Sequence, residues 1–164
     1  MKSLLILRHA KSSWKHPELT DYDRPLNKRG KNDAQQMGKL IRKEKLIPDL
    51  IMSSSSTRAY ATAKAVAKAC DYNEEIILSR SLYDAPDPKA YLKAIRNLDD
   101  KHSRVLIVGH NPSIEELLEI LTGEIHMMPT CSLAALDLQI DKWSYIEEGY
   151  EITKGKLAGV WLPE

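Results

Sequence analysis

The chain has 164 residues, 43% of them hydrophobic and 29% charged, a balance ordinary for a folded globular chain and consistent with a single domain spanning residues 1–164. With 24 Lys and Arg against 23 Asp and Glu, the net charge of +1 supplies no general attraction to nucleic acid or an anionic membrane, and no apolar run approaches a membrane span. Cys70 and Cys131 make neither a C-x-x-C pair nor a disulfide framework, so the expected setting is reducing and cytoplasmic.

Residues 4–7, Leu-Leu-Ile-Leu, read as a buried strand; Arg8 and His9 interrupt the run too early for a signal peptide. A long polar loop follows over residues 11–24, containing Trp14, Pro17 and Tyr22. Asn27 is placed to cap a helix whose apolar stripe is Ala34, Met37, Leu40 and Ile41 and which stops before Pro48. Residues 49–52 are a second strand, 53–56 a polar turn, and 57–69 an alanine-rich helix. A short strand at 75–78 leads to a loop over 82–88, which holds Pro86 and Pro88, and then to a helix over 89–98.

A strand over 104–108 ends in Gly109-His110-Asn111-Pro112. Pro112 suits a first helical turn with Asn111 as its cap, and Ile114, Leu117, Leu118 and Leu121 give that helix its apolar side before Thr122-Gly123 ends it. Residues 132–138 form another strand, 143–146 and 156–161 are further strand candidates, and Gly149 marks a turn. There is no internal repeat or low-complexity tract. This alternation predicts an α/β fold: three αβα layers around a mainly parallel sheet.

Two of the strands end in a histidine, and ligands of open α/β sheets bind at the carboxyl edge. A neutral imidazole at His9 can attack phosphorus, while Arg8 offers directed donors to phosphate oxygens. Arg58 opens the helix after Ser53-Ser54-Ser55-Ser56, where free amides and hydroxyls can also hold an anion. It is suited to neutralising a phosphoryl transition state; the alternative is a solvent-facing helix arginine. His110 can donate to a phosphate oxygen from a protonated ring nitrogen. Four basic groups from three βα junctions thus make a phosphate pocket that calls for no cofactor and no metal. Ser12, Trp14 and Asn111 are candidates for the pocket's rim. His16, His102 and His126 form no compact metal motif.

These ordered blocks resemble the histidine phosphatase (phosphoglycerate-mutase-like) superfamily, and within it the small SixA-type phosphohistidine phosphatases. The carrying segments are Arg8-His9-Ala10, Asp23-Arg24-Pro25-Leu26-Asn27-Lys28-Arg29-Gly30, Ser53 through Arg58 with Ala59, Thr62 and Ala63, and Gly109-His110-Asn111-Pro112. Alanine at position 10 departs from the broader Arg-His-Gly pattern and is compatible with the SixA type. The resemblance implies that His9 is the nucleophile, that Arg8, Arg58 and His110 hold phosphate, and that the substrate is a phosphohistidine on a protein of a signalling pathway or a phosphotransfer chain. It also points to an acidic residue after the third strand. Asp84 is the first candidate and Asp87 its neighbour and rival. Two alternatives stay open: a small-molecule phosphomonoesterase with the same nucleophile, and a noncatalytic phosphate- or phosphohistidine-binding module. The expected partner is a phosphohistidine-bearing protein or a small phosphorylated substrate.

Overall fold

The computed structural model describes residues 1–146 and 155–163. Its elements are β1 (Lys2–Arg8), α1 (Lys28–Lys43), β2 (Leu50–Ser54), α2 (Thr57–Ala69), β3 (Ile76–Ser79), α3 (Arg80–Asp84), α4 (Lys89–Arg96), β4 (Arg104–Gly109), α5 (Ser113–Thr122), β5 (Leu133–Leu138) and β6 (Lys156–Trp161). The strands form one sheet in the order β3-β2-β4-β1-β5-β6. The first four run parallel; β5 pairs antiparallel with β1, and β6 antiparallel with β5 at the sheet's edge.

Side-chain alternation along the strands sets the layers. Leu4 and Ile6 of β1 face one core with Val105 and Ile107 of β4, Ile95 of α4 and Leu117 of α5. Leu5 and Leu7 face the other with Leu106 and Val108 of β4, Met37 and Ile41 of α1 and Val66 of α2. A period of two thus divides each apolar run between two cores, which is why the buried strands read as unbroken hydrophobic stretches. The αβα architecture is the one expected from the sequence.

Register decides where the chemistry falls. In the parallel pair β1–β4, Leu7 lies opposite Val108 and Arg8 opposite Gly109, so the residues that follow each strand emerge side by side. In the pair β2–β4, Ser53 lies opposite Val108, which brings the start of α2 to the same edge.

Several local expectations are corrected. Residues 80–84, expected to lie before or within a loop, are helical, because Pro86 and Pro88 act only beyond Ala85 and Leu82 is drawn into the core. Ser53 and Ser54 belong to β2, not to a turn. Trp143–Tyr145 is a 3-10 turn, not a strand. The Trp143 ring is fully buried, its Nε1–H donates to the His102 carbonyl at 2.9 Å, and the free edge of β5 is taken by β6. Asn111 does not cap α5: Pro112 holds the cap position, and the Asn111 amide instead donates to the Met128 carbonyl at 2.9 Å. The turn expected at Gly149 lies outside the described residues. Asn27, in contrast, caps α1 by accepting the Gly30 N–H at 2.8 Å, and Gly123 ends α5 in the left-handed conformation at φ 77°.

The loop after β1 is pressed against the start of α1. The Asn27 N–H donates to the Lys11 carbonyl at 3.0 Å, and a Cβ at Gly30 would lie 2.1 Å from that same oxygen. Two effects therefore compete in Gly30→Ala. Helix propensity favours alanine by about 1 kcal/mol, whereas overpacking against backbone that cannot swing aside costs about 1–3 kcal/mol. Steric conflict wins, and urea denaturation of Gly30→Ala is expected to show a net loss of stability; a gain would mean that the loop is not seated on the helix as described.

Candidate active site

At the carboxyl edge of the sheet lies a cleft of about 560 Å³ lined by Arg8, His9, Lys11, Ser12, Trp14, Asp21, Arg24, Arg58, Tyr83, Ala85, His110, Asn111 and Thr130. The four basic residues singled out in the sequence all line it.

His9 is 7% exposed, and its Nδ1 lies 2.7 Å from the Ala10 carbonyl oxygen. A carbonyl can only accept, so Nδ1 carries the hydrogen and Nε2 keeps its lone pair. Burial pushes the imidazole down to about 4; the Arg58, Arg8 and Arg24 charges act in the same direction, and the Ala10 contact opposes them. The backbone here is pinned from three sides. The His9 N–H donates to the Gly109 carbonyl, the His9 carbonyl accepts from Cys131, and the Ala10 N–H donates to Thr62 Oγ1 at 2.9 Å.

The His110 ring is centred 5.0 Å from that of His9. Its Nε2 lies 2.8 Å from Ser54 Oγ and 3.3 Å from Ser56 Oγ, and its backbone N–H donates to Tyr91 Oη at 3.1 Å. Burial first, then the neighbouring His9, Arg58 and Arg8, push it down to about 3 against the opposing pull of Asp21. Both imidazoles are therefore neutral near pH 7.

Arg8 donates through Nη1 to the Met128 carbonyl at 3.1 Å, while its buried Nε has no protein partner. Burial lowers its pKa, with Glu115 opposing and Arg58 adding to the effect. Asn111 shares the Met128 carbonyl, and its own Oδ1 is also buried without a partner. Arg58 is 7% exposed and donates through Nη1 to the Asp21 backbone carbonyl at 2.6 Å and through Nη2 to Asp21 Oδ2 at 3.0 Å. It is not a solvent-facing helix residue.

Asp21 is the residue that sequence reasoning missed. Besides Arg58, it accepts from Tyr83 Oη at 2.8 Å and from Arg24 Nη1 at 3.1 Å. Burial pushes its carboxyl up, but the Tyr83 and Arg58 hydrogen bonds, the Arg58 charge and Arg24 outweigh that and hold it at about 2. Among the described residues lining the cleft it is the sole carboxylate, and it is ionised. The available signal was an acid three residues before Arg24 in the long polar loop, and Arg24 pairs with it.

The acidic candidates chosen from sequence lie elsewhere. Asp84 does not line the cleft; it pairs with Arg80 at 3.5 Å, and its side chain is 60% exposed. It belongs to the short helix α3, and one residue along a helix is a turn of about 100°, so Tyr83 faces the cleft in its place. Asp87 Oδ1 accepts the Lys89 N–H at 2.9 Å at the start of α4. At the rim, Ser12 Oγ accepts from Arg24 Nη2, Arg24 Nε donates to the Ser13 carbonyl at 3.2 Å, and the guanidinium lies 3.3 Å from the centre of the Trp14 ring. This set of donors around a free imidazole nitrogen is chemically suited to holding and attacking a tetrahedral oxyanion.

The profile of the histidine phosphatase superfamily (branch 1) matches residues 4–84. An uncharacterised chloroplastic protein of Arabidopsis thaliana is 31% identical over 175 residues, covering 99% of this chain and 78% of that protein. The crystal structure of the SixA protein of Agrobacterium tumefaciens, assigned as a phosphohistidine phosphatase, superposes with a TM-score of 0.83 at 30% identity and covers 99% of this chain and 98% of that one. The protein histidine phosphatase SixA in complex with tungstate shares the fold, with a TM-score of 0.78 at 22% identity over 96% of this chain and 95% of that one. With its six-stranded sheet and the Arg8-His9 junction inside the matched segment, the chain belongs to the histidine phosphatase superfamily, in its SixA-type branch.

Proposed function

We propose that this chain is a phosphohistidine phosphatase that hydrolyses the phosphoramidate bond of a phosphohistidine carried by another protein, through a covalent intermediate on His9. The observation that carries the reading is the geometry of the cleft: His9, its Nδ1 engaged by the Ala10 carbonyl so that Nε2 is left for attack, stands among Arg8, Arg58 and His110, while the one lining carboxylate among the described residues is tied up by Tyr83, Arg58 and Arg24. Nε2 attacks phosphorus in line. The P–N bond to the substrate breaks, and its electron pair goes to the leaving imidazole, which departs neutral when its other ring nitrogen has taken up a proton from solvent. Water then attacks the phosphoenzyme, the P–Nε2 bond breaks with its pair returning to His9, and phosphate and a proton are released.

Leaving-group chemistry favours the nitrogen-linked substrate. An alkoxide needs a positioned proton donor. Asp21, at about 2, has no proton to give near neutral pH, and Asp84 faces away. A protonated phosphoimidazole leaves without that help. Arg8, Arg58 and His110 serve as the oxyanion donors, and Asp21 as the positioning residue for Arg58. The reading includes the whole of residues 1–164 as the phosphatase unit. It also includes cytoplasmic residence, to which the two buried free cysteines are suited.

Parallel assays on a phosphohistidine-bearing protein and a panel of sugar and nucleotide phosphate monoesters test the substrate class. Phosphohistidine turnover should dominate, and His9→Ala should lower it by on the order of a thousandfold or more. Preference for the esters, or retained turnover in His9→Ala, overturns the proposal.

For Asp21→Asn, loss of the clamp on Arg58 is expected to cut kcat/KM by about tenfold, equivalent to about 1.4 kcal/mol of transition-state stabilisation. Asp84→Asn should change it by less than about twofold. Equal losses in the two variants would remove Asp21 from this role.

Proton NMR titration should place the His9 midpoint near 4 and that of His110 near 3. Because the unfolded imidazoles bind protons from about pH 6.5 downward while the folded ones do not, their contribution to stability is full above about pH 6.5 and is lost as pH falls toward about 4 for His9 and about 3 for His110. The Asp21 contribution is lost further down, between about 3.8 and about 2. Histidine midpoints near 6.5 would contradict the desolvated, neutral pair.

A further inference from the structure

Trp14 is an expensive residue to leave in water, yet it is 79% exposed, the most exposed of the large apolar residues described. It serves no core. One face lies against the Arg24 guanidinium at 3.3 Å from the ring centre, and Arg24 is itself 8% exposed. That arginine is fixed by the Ser13 carbonyl, Asp21 Oδ1 and Ser12 Oγ. The loop beneath is fixed as well: the Ser13 N–H donates to the Pro25 carbonyl at 2.8 Å, Ser12 bridges to Leu26, and the Lys15 N–H donates to Ser13 Oγ at 3.1 Å. The indole is therefore held in place before anything binds.

A second stack of the same kind adjoins the cleft through Tyr83. The Arg80 guanidinium lies 4.3 Å from the centre of the Tyr22 ring and 5.8 Å from that of Tyr83, and the two tyrosines meet edge-on at 4.9 Å. Trp, Tyr and Arg are the residue types that dominate binding energy at protein interfaces, and rigid aromatic anchors lose little conformational entropy on docking. Lys11 and Lys15, both exposed, flank the indole with positive charge.

We infer that the Trp14–Arg24 stack at the mouth of the cleft is the docking contact for the phosphorylated protein itself: a partner whose surface beside its phosphohistidine is apolar and bordered by acidic side chains. This rests on the reading of the cleft as a phosphohistidine phosphatase site. The phosphoryl group reaches His9 inside the cleft. The indole, at the rim, is covered by the protein surface that carries it, so a free phosphorylated imidazole gains little from it.

The test compares wild type, Trp14→Ala and Trp14→Phe on two substrates: a histidine-phosphotransfer domain phosphorylated on its histidine, and free phosphohistidine. The measured quantity is the ratio of kcat/KM for the protein to that for the free amino acid. The ratio should fall about tenfold in Trp14→Ala, mainly through KM for the protein, and Trp14→Phe should recover part of it. A ratio unchanged in Trp14→Ala, because both substrates are affected equally or neither is, overturns the docking role. So does a wild-type dimer, seen by sedimentation, that Trp14→Ala dissociates, since that assigns the indole to self-contact. Absence of wild-type turnover on both substrates is a different failure, that of the phosphatase reading.

Discussion

The parallel pairing of β1 with β4 is the constraint from which the site follows. With Arg8 opposite Gly109, the residue just past the end of each strand is a histidine, and the two rings meet 5.0 Å apart. The pairing is held by strands whose apolar residues face two cores at once, so a slip of one residue would exchange the faces of an entire strand. Tyr91 reinforces the alignment from beneath: its hydroxyl accepts the His110 N–H, donates to the Leu82 carbonyl at 2.9 Å, and occupies the space that a Cβ at Gly109 would need. Precision at the nucleophile is thus inherited from strand register, and loops supply only the outer donors.

Burial and charge act together on that geometry. Desolvation disfavours a charged imidazole at either position, and the surrounding arginines push the same way, so the cleft holds neutral rings beside cationic guanidinium groups. A phosphate dianion changes the balance, since it brings the charge that the arginines lack. The cleft is therefore poised for an anion, and Asp21 occupies part of the Arg58 hydrogen-bonding capacity while leaving the remaining N–H groups free to point at a ligand.

The sequence made the inner site readable because each of its members lies at a junction with a strong local signature. Arg8 and His9 end an apolar run, His110 ends another, and Arg58 opens an alanine-rich helix after a serine cap. Asp21 and Tyr83 were not readable in the same way. Asp21 sits in an irregular loop whose path depends on contacts with Arg24 and α2, and Tyr83 owes its direction to a five-residue helix that two nearby prolines concealed. The same short helix turned Asp84 outward. Asn111 shows a capping preference yielding to tertiary structure: Pro112 takes the cap position, and the Asn111 amide N–H is turned to the Met128 carbonyl. Trp143 shows burial overriding a strand pattern, its indole N–H being satisfied only where the 3-10 turn carries it to His102.

The central claim is that His9 Nε2 becomes bonded to phosphorus during turnover. Rapid quench into alkali during reaction with a phosphohistidine protein, followed by mass-spectrometric localisation of the phosphate, addresses it directly. The account predicts an acid-labile, alkali-stable phosphate on His9 that forms and decays at rates matching turnover. Phosphate release with no such species, or with phosphate on another residue, would contradict it.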